Sequence, residues 1–543
     1  MSLLRMLALS WTNIKLKIIP GFRPQAIEKK DHFFSTEEIA ALHHQSLNDT
    51  GVALDNISWN DLLLNDYLKK ISIGASIFAQ QFFYQRLRLG QKKEHFFHQQ
   101  SRLQSLINDA SNLNKLEQEC ALLRTAETEI ATILFDTSTT PQSERWHRYA
   151  WIIPLGAAIS AGLSYFNPVT LIATGLIVCF LFHLQIQFHH RLYMWNLSSK
   201  SIQILLKTAY KLSLQPCIEC EPFRSGQHEI IHIHQQLQRR ASSAFVLPEM
   251  LAYFDWFQMA NILHYFKGMR TIDRYRINLQ SCYLAVAQLE ADIKLARHFH
   301  SQPRICFATI SDEHSVTLNR VVHPLLTDAS PLSISLHAKG CFISGQNGVG
   351  KSTFLRAIGI NLVVGKAFGF CYGDDAKINL SPVYTSIHNE DSLANNESFY
   401  IAEMKRAKTL VNAANSNHLG TYLIDEIFRG TNYVESVSAA AAVLKELSQK
   451  GLLIVASHHL ILANLLEEYL IPFYLTRHGE QLTMQRGILS TTNGVQLLAE
   501  FEFGYEIENN AKNILAYLNK HMMSVSPKSA LAMSNCMGNN ICS

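Results

Sequence analysis

Charged residues are scarce in this sequence. Asp, Glu, Lys and Arg together make up 17% of its 543 residues, whereas apolar residues make up 48%. This balance excludes an intrinsically disordered chain, because disordered segments combine few apolar residues with much charge. The formal net charge is only +4, so composition alone does not indicate a dedicated nucleic-acid-binding protein. The length allows two to four domains, each with its own core.

The ten cysteines lack a repeating pattern. Only Cys217 and Cys220 lie close together in sequence, and a lone CxxC is weak evidence for zinc because a four-ligand site needs a second pair. His232 and His234 could supply that pair; otherwise these are ordinary buried thiols. The scatter of cysteines suits a reducing compartment. The N-terminus has no small-residue cleavage site after its mildly apolar start, so we expect a packed segment there.

Charge is absent from one long stretch. Between Tyr149 and Phe182 there is no Asp, Glu, Lys or Arg, and Asn167 and Pro168 interrupt the stretch near its middle. Pro168 would break a single helix, whereas two helices of about 17 residues would each just span a bilayer core. Basic and aromatic residues on both flanks favour two cytoplasmic ends. We therefore expect a transmembrane hairpin in contact with lipid over residues 149–182; the alternative is a buried hairpin in a soluble core.

Elsewhere the apolar spacing divides the chain into helical and α/β parts. Residues 58–135 and 196–300 have apolar residues three and four apart, which predicts helices. Asp61 follows a Trp-Asn pair and predicts a helix start. From RICFATI (304–310) onwards, strand and helix patterns alternate, which is typical of an α/β layer. The predicted regions are 1–145, helical; 146–191, the hairpin; 192–303, helical; 304–520, α/β; and 521–543, a flexible tail.

The strongest local motif is GQNGVGKS at residues 345–352, which fits GxxxxGK[ST]. It follows the apolar run CFIS and precedes a helical pattern, as a phosphate-binding loop requires. Glycines let backbone N–H groups turn towards phosphate oxygens, and the helix N-terminus favours their negative charge. Lys351 would contact the β- and γ-phosphates of ATP, and the Ser352 hydroxyl would bind Mg²⁺.

Two further apolar strands end in polar residues. TYLIDE (421–426) predicts that Asp425 holds the Mg²⁺ shell and that Glu426 is the base that polarises the attacking water. LLIVA (452–456) is followed by Ser457, His458 and His459. A histidine in that place either senses the γ-phosphate or serves as a structural hydrogen-bond partner.

These motifs together resemble the MutS family of DNA mismatch repair ATPases. GQNGVGKSTFLR is similar to the family's GPNMGGKST loop, LIDEIFRGTN to its MDEIGRGT segment, and ASHH to its ATH switch. DSLANNESFYIAEM (391–404) resembles the family's DDLASGRSTFMVEM, and the HP at residues 323–324 looks like the entry to the family ATPase domain. The resemblance is strong from about residue 320 to 460 and looser elsewhere.

The resemblance implies a set of roles. The family serine matched by Ser398 faces the ATP of the partner subunit, which implies a homodimer through the ATPase domains with sites completed in trans. Asn347 matches a γ-phosphate contact, and His458 takes the family histidine's place. The implied catalytic residues are Glu426, Lys351 and His458, and the implied Mg²⁺ ligands are Ser352 and Asp425. The implied ATP-binding residues are Gly345, Asn347, Gly348, Gly350, Lys351, Ser352, Thr353 and, in trans, Ser398.

The sequence departs from the family pattern at several positions, and these departures limit which family functions the resemblance implies. The family's mismatch-reading domain, with its Phe-x-Glu wedge, has no counterpart before the helical core, and Phe399 replaces the threonine after the family serine. Gly504-Tyr505-Glu506 replaces the family's Ser-Tyr-Gly. A transporter-type ATPase is disfavoured because LSGGQ is absent. The sequence therefore supports the family ATPase better than mismatch recognition.

The sequence predicts an α/β P-loop ATPase domain preceded by an all-α core or lever domain that a two-helix transmembrane hairpin interrupts. We expect a MutS-related ATPase in the bacterial inner membrane, multi-pass with its ATPase domain in the cytoplasm. It would act on DNA, through non-specific backbone contacts, or on a DNA-processing complex. The alternative is an ATP-gated membrane scaffold or signalling dimer that has a protein partner and no DNA.

Overall fold

The computed structural model describes residues 32–45, 52–136, 149–238, 256–311, 315–387, 399–416, 419–479, 481–489 and 494–522. These residues form two compact units. The first contains the described parts of Met1–Ile39, Gly74–Phe78 and Gln118–Val286. The second contains those of Ala40–Ile73, Ala79–Glu117 and Ala287–Ser543. The domain limits inferred from sequence stay predictions.

Helices account for the regular structure of the described residues up to 301. They are α1 (Thr36–Gln45), α2 (Asn56–Asp61), α3 (Leu64–Ile71), α4 (Ile77–Leu89), α5 (Lys93–Asn108), α6 (Ala110–Cys120), α7 (Ala131–Phe135), α8 (Ile152–Leu163), α9 (Thr170–Ser213), α10 (Glu221–Ser225), α11 (Gln227–Leu237), α12 (Ala260–Arg274) and α13 (Arg276–Ser301). The predicted helical region before the α/β part is confirmed.

Strands and helices then alternate, as predicted. They are β1 (Cys306–Ile310), β2 (Ser315–Val321), β3 (Leu332–His337), β4 (Gly340–Gly345), α14 (Lys351–Phe368), β5 (Phe370–Cys371), β6 (Asp375–Ile378), β7 (Val383–Ile387), α15 (Phe399–Asn415), β8 (Gly420–Asp425), α16 (Tyr433–Lys450), β9 (Gly451–Ala456), α17 (Ile461–Leu465), β10 (Leu470–His478), β11 (Gln481–Arg486), α18 (Leu497–Glu500) and α19 (Tyr505–Met522).

The prediction of two bilayer-length helices is wrong. α8 has only 12 residues, a rise of about 18 Å, whereas α9 has 44. α8 ends early because the residues after Leu163 form turns with bonds three residues apart, such as Phe166 N–H to Leu163 C=O. α9 continues past the charge-free stretch because its later turns bury one face in the first unit, including Trp195. Among the described helices, α9 alone is long and apolar enough to cross a membrane.

Asp61 ends a helix instead of beginning one. Asp55 is the N-cap residue of α2, since its carboxylate accepts a bond from the Ser58 N–H at 2.7 Å. Asp61 is the last residue of α2, and its carboxylate accepts bonds from Thr385 and Ile387 on β7. The sequence expectation failed because an acidic residue suits both a helix start and a buried tertiary contact.

The second unit is built on two sheets. A five-stranded sheet has the order β3-β2-β6-β1-β5, and a six-stranded sheet has the order β11-β10-β4-β9-β8-β7. In the larger sheet β7, β8, β9, β4 and β10 pair in parallel, and β11 pairs antiparallel with β10. Every residue of β4, β8 and β9 is buried, as expected for central parallel strands covered on both faces. The carboxyl ends of these strands carry the candidate site.

Candidate functional site

Three strand ends meet at one edge of the six-stranded sheet. Asp425 of β8 pairs with Ala456 of β9, and Ala456 also pairs with Ile343 of β4, two residues before Gly345. Ligands of open α/β sheets bind at this carboxyl edge. The pairing therefore brings the predicted loop, carboxylates and histidine to one place from three separate segments of the sequence.

The loop between β4 and α14 needs glycine for its backbone. Gly348 has φ of +73° and Gly350 has φ of +108°, both in the left-handed region that side chains rarely adopt. No atom lies within 4 Å of a Cβ built on Gly348, so conformation and not space requires glycine there. Asn347 and Thr353 are exposed on this loop and its helix, where a ligand can reach them.

Lys351 lies inside the loop. Its side chain is buried, and Nζ donates to the carbonyl oxygens of Gly345 at 3.0 Å and Gln346 at 3.1 Å. Burial lowers the pKa of Lys351, while the negative charges of Asp425 and Glu426 act to raise it. The ammonium group is thus held beside both carboxylates, where phosphate oxygens could replace the loop carbonyls.

Glu426 contacts two basic side chains, one with each carboxylate oxygen. Its Oε1 lies 3.1 Å from Nε2 of His458, and its Oε2 contacts Nε of Arg429. Glu426 has φ of +53° and Phe428 has φ of +60°, left-handed conformations that cost on the order of 1–3 kcal/mol each outside glycine. Such strain is typical of functional loops, because surrounding contacts must hold it in place.

Arg429 is the site residue to which sequence reasoning assigned no role. It belongs to the RGT segment that carries the family resemblance, yet its pairing with Glu426 depends on the left-handed turn between them. That turn has no signature in the sequence, because Glu and Phe seldom adopt it. Arg429 therefore joins Lys351, Glu426 and His458 in one charged cluster.

His458 follows β9 and reaches Glu426, as its place after the strand suggested. Burial and the charge of Lys351 lower the pKa of His458, whereas Glu426 acts to raise it. The neighbouring His459 instead packs edge-on against Tyr433, with ring centres 5.2 Å apart. Of the two histidines, only His458 contacts the Glu426 carboxylate. It lies where it can respond to a change of charge in the site.

The oxygen ligands present fit a magnesium ion held partly by phosphates. Asp425 is buried at the end of β8, and Ser352 is half-buried in the first turn of α14. The described residues contain no group of three or more His, Cys, Asp or Glu that could hold a metal ion. Mg²⁺ does not need one, since it usually binds one or two protein oxygens together with substrate phosphates and water.

An open cleft of about 200 Å³ adjoins the phosphate loop. The loop side is formed by Val349, Gly350 and Thr353, and the other walls come from β2, β3, the segment between them, and the β10–β11 hairpin. Sequence reasoning did not find this cleft because its walls come from separate segments without a shared motif.

Some predicted features lie outside the site or outside the described residues. Ser398 is not among the described residues. Cys220 is buried and Cys217 is half-buried, with their sulfurs 3.1 Å apart. His232 bonds to Tyr275, and His234 bonds to Gln238. These groups therefore do not form a four-ligand zinc site.

Comparison with protein families identifies the α/β part of the second unit. Residues 341–517 match the model of MutS domain V, the ATPase-containing C-terminal domain of that family. The match begins in β4 and includes the phosphate loop, Asp425, Glu426, Arg429 and His458. The geometry of the strand ends and this match agree, and residues 341–517 are therefore similar to the ATPase-containing domain of the MutS family.

Proposed function

We propose that this protein is a membrane-anchored MutS-family ATPase that hydrolyses ATP with Mg²⁺ and acts on DNA without reading mismatches. The ATPase part rests on one observation: Lys351, Asp425, Glu426 and His458 lie at the same edge of the six-stranded sheet. MutS ATPase domains in general bind ATP with Mg²⁺. Assignment of each step to these residues is our proposal.

In this proposal the loop N–H groups, Asn347 and Lys351 hold the phosphates, and Ser352 and Asp425 hold Mg²⁺. Glu426 takes a proton from the attacking water. Both of its oxygens contact basic groups in the structure, so one must become free before the carboxylate can accept that proton. A bound γ-phosphate provides the competing negative charge for Arg429 and His458, which links substrate binding to release of the base.

Two substitutions separate binding from hydrolysis. Lys351→Ala should abolish or nearly abolish nucleotide binding, because the phosphate charge loses its buried partner. Glu426→Gln should bind ATP normally but turn over about 10²–10⁴-fold more slowly, the contribution expected of a positioned base. Nucleotide binding and phosphate release measure the two effects. Normal turnover by the Glu426→Gln variant would remove Glu426 from its assigned role.

We also propose that the active form is a homodimer in which Ser398 contacts the nucleotide of the partner subunit. MutS-family proteins generally work as dimers, and α15, which follows Ser398, packs beside the loop that contains Glu426. A serine immediately before this helix could contact a phosphate through its hydroxyl and the helix N-terminus.

Mixed dimers test whether Ser398 acts in trans. A Ser398→Arg chain combined with a Lys351→Ala chain should form one working site per heterodimer, because each defect falls on the same composite site. ATPase activity should therefore return on mixing, to about half of the wild-type rate per heterodimer, or about a quarter averaged over all dimers of a random equimolar mixture. Each homodimer alone is the control. A mixture that forms dimers but stays inactive contradicts the trans assignment.

The membrane proposal rests on the exposed apolar surface of α8 and early α9. Ile172 and Leu176 are 67% and 68% exposed, and Tyr149 and Trp151 are exposed at the start. Glu119, before this segment, contacts Lys211 and Gln215, after it, and all three belong to the first unit, so both ends lie on the same side of any membrane. α8 alone covers about 18 Å, so it would need the turn residues on either side to reach across a bilayer core of about 30 Å. We therefore propose a hairpin in the bacterial inner membrane with the ATPase domain in the cytoplasm.

Extraction and labelling test this topology. Detergent, but neither high salt nor alkali, should release the protein from membranes, because apolar burial holds it. An Asn167→Cys substitution in a Cys179→Ser background should react with an impermeant thiol reagent from outside intact cells. A Ser543→Cys substitution in the same background is the matched control and should stay protected. Release by alkali alone contradicts a spanning hairpin.

Basic residues that pack helices together are not available to bind DNA, whereas exposed ones are. Arg88 is buried over the Trp59 ring, and Arg86 lies over Phe82, so these two arginines serve to pack helices. Lys267, Arg270 and Arg274, in contrast, are exposed along α12. Their spacing of three and four residues places them on one helix face. We propose that this face contacts phosphates, which would make DNA binding weak and independent of sequence.

A comparison of duplexes tests the DNA proposal. Recognition of a mispair requires opening of the minor groove and insertion of an apolar wedge, and this sequence lacks the family's wedge motif. Binding to homoduplex and to a G·T mispair should therefore differ less than about tenfold, or about 1.4 kcal/mol. Both affinities should fall steeply with salt. A larger preference for the mispair contradicts this proposal, and no DNA binding at all favours the scaffold with a protein partner.

A further inference from the structure

The N-terminal helix α2 completes the free edge of the six-stranded sheet. β7 is an edge strand, and an edge strand presents backbone groups without strand partners. Ser58 Oγ accepts a bond from Thr385 N–H at 2.9 Å. Asp61 Oδ2 accepts bonds from Ile387 N–H at 2.7 Å and from Thr385 Oγ1 at 2.6 Å. Side chains from α2 thus take the place of a further strand.

Arg406 ties helix α15 to this junction. It is buried; Nε donates to the Thr385 carbonyl at 2.9 Å, and Nη2 donates to Ser58 Oγ at 3.1 Å. Its Nη1 lies 3.1 Å from Oδ2 of Asp55, the N-cap residue of α2. The planar guanidinium group thus joins three elements in one fixed arrangement, which a lysine could not reproduce.

The first turns of α15 support the loop that bears Glu426. The Tyr400 ring lies against Phe428, with ring centres 6.1 Å apart, and Gly430 N–H donates to Glu403 Oε2 at 3.4 Å. A Cβ on Gly430 would lie 2.8 Å from the Tyr400 Cβ, so the loop and helix are in close contact. Because the loop holds two left-handed residues, it depends on such outside support.

We propose that Arg406 is a positioning residue for hydrolysis. It sets the position of Glu426 through α15, and this position depends on that of α2. This inference rests on the proposed ATPase function and adds its regulation by the N-terminal helices. Arg406 is one helical turn from Glu403, so a change at its anchor moves the first turns of α15 and the loop they touch. A misplacement of about 1 Å at a catalytic group can cost on the order of 10²-fold in rate.

Asp55 and Arg406 are better test positions than Asp61. The Asp61 carboxylate bonds to Thr385 and Ile387 of β7, so its replacement would disturb the sheet edge itself. Asp55→Asn keeps an N-cap side chain for α2 and removes only the charge that pairs with Arg406. Arg406→Lys keeps the charge but loses the fork of bonds. Asp66→Asn is the matched control, since its ion pair with Lys69 is exposed.

The experiment measures turnover, nucleotide affinity and thermal midpoint of the full chain in detergent, with a fluorescent ATP analogue as the binding probe. Asp55→Asn and Arg406→Lys should each lower kcat about tenfold or more, with nucleotide Kd within about twofold of wild type. The double variant should be no slower than the slower single variant, because both changes break one contact. Asp66→Asn should behave as wild type.

The possible outcomes separate failure of the Arg406 proposal from failure of the ATPase proposal. If wild type hydrolyses ATP and both variants keep its kcat, the inference is wrong while the ATPase proposal stands. A joint fall of kcat, nucleotide affinity and thermal midpoint shows a merely structural role and also overturns it. If wild type lacks hydrolysis, both proposals fail. Should Arg406→Lys not fold, Asp55→Asn decides, because its side chain is 31% exposed and its cap is retained.

Discussion

Parallel pairing of β4, β9 and β8 is the constraint on which the rest of the second unit depends. Because the strands run in the same direction and in register, their carboxyl ends form one edge. Each strand is followed by a loop whose side chains converge there: the phosphate loop after β4, Glu426 after β8 and His458 after β9. The helices on both faces bury the apolar strands and keep water away from all but this edge.

The site itself balances opposite charges at close range. Arg429 and His458 contact the two oxygens of Glu426, and Lys351 donates to two loop carbonyls. A buried ammonium or carboxylate without such partners would be costly. A triphosphate and its metal ion bring further charges of both signs into this cluster. The existing ion pairs must then rearrange.

The N-terminal helices are part of the α/β unit in space, although about 300 residues separate them from it in sequence. Ser58, Asp61 and Arg406 occupy the free edge of β7, where an exposed strand would invite pairing with another chain. The chain leaves this unit after Glu117 and returns to it at Ala287.

The sequence by itself determined the local parts of this protein. The phosphate loop, the strands that end at Asp425 and Ala456, and the helical character before residue 301 follow from motifs, apolar runs and periodicity within short windows. Tertiary structure alone decided the length of α8, the place of Asp61, and the contacts of Arg429 and Arg406. The contact of Arg429 depends on a left-handed turn, and the contacts of Asp61 and Arg406 depend on partners hundreds of residues away. Local propensity carries no information about either, because the free energy of such contacts exists only once distant segments are packed together.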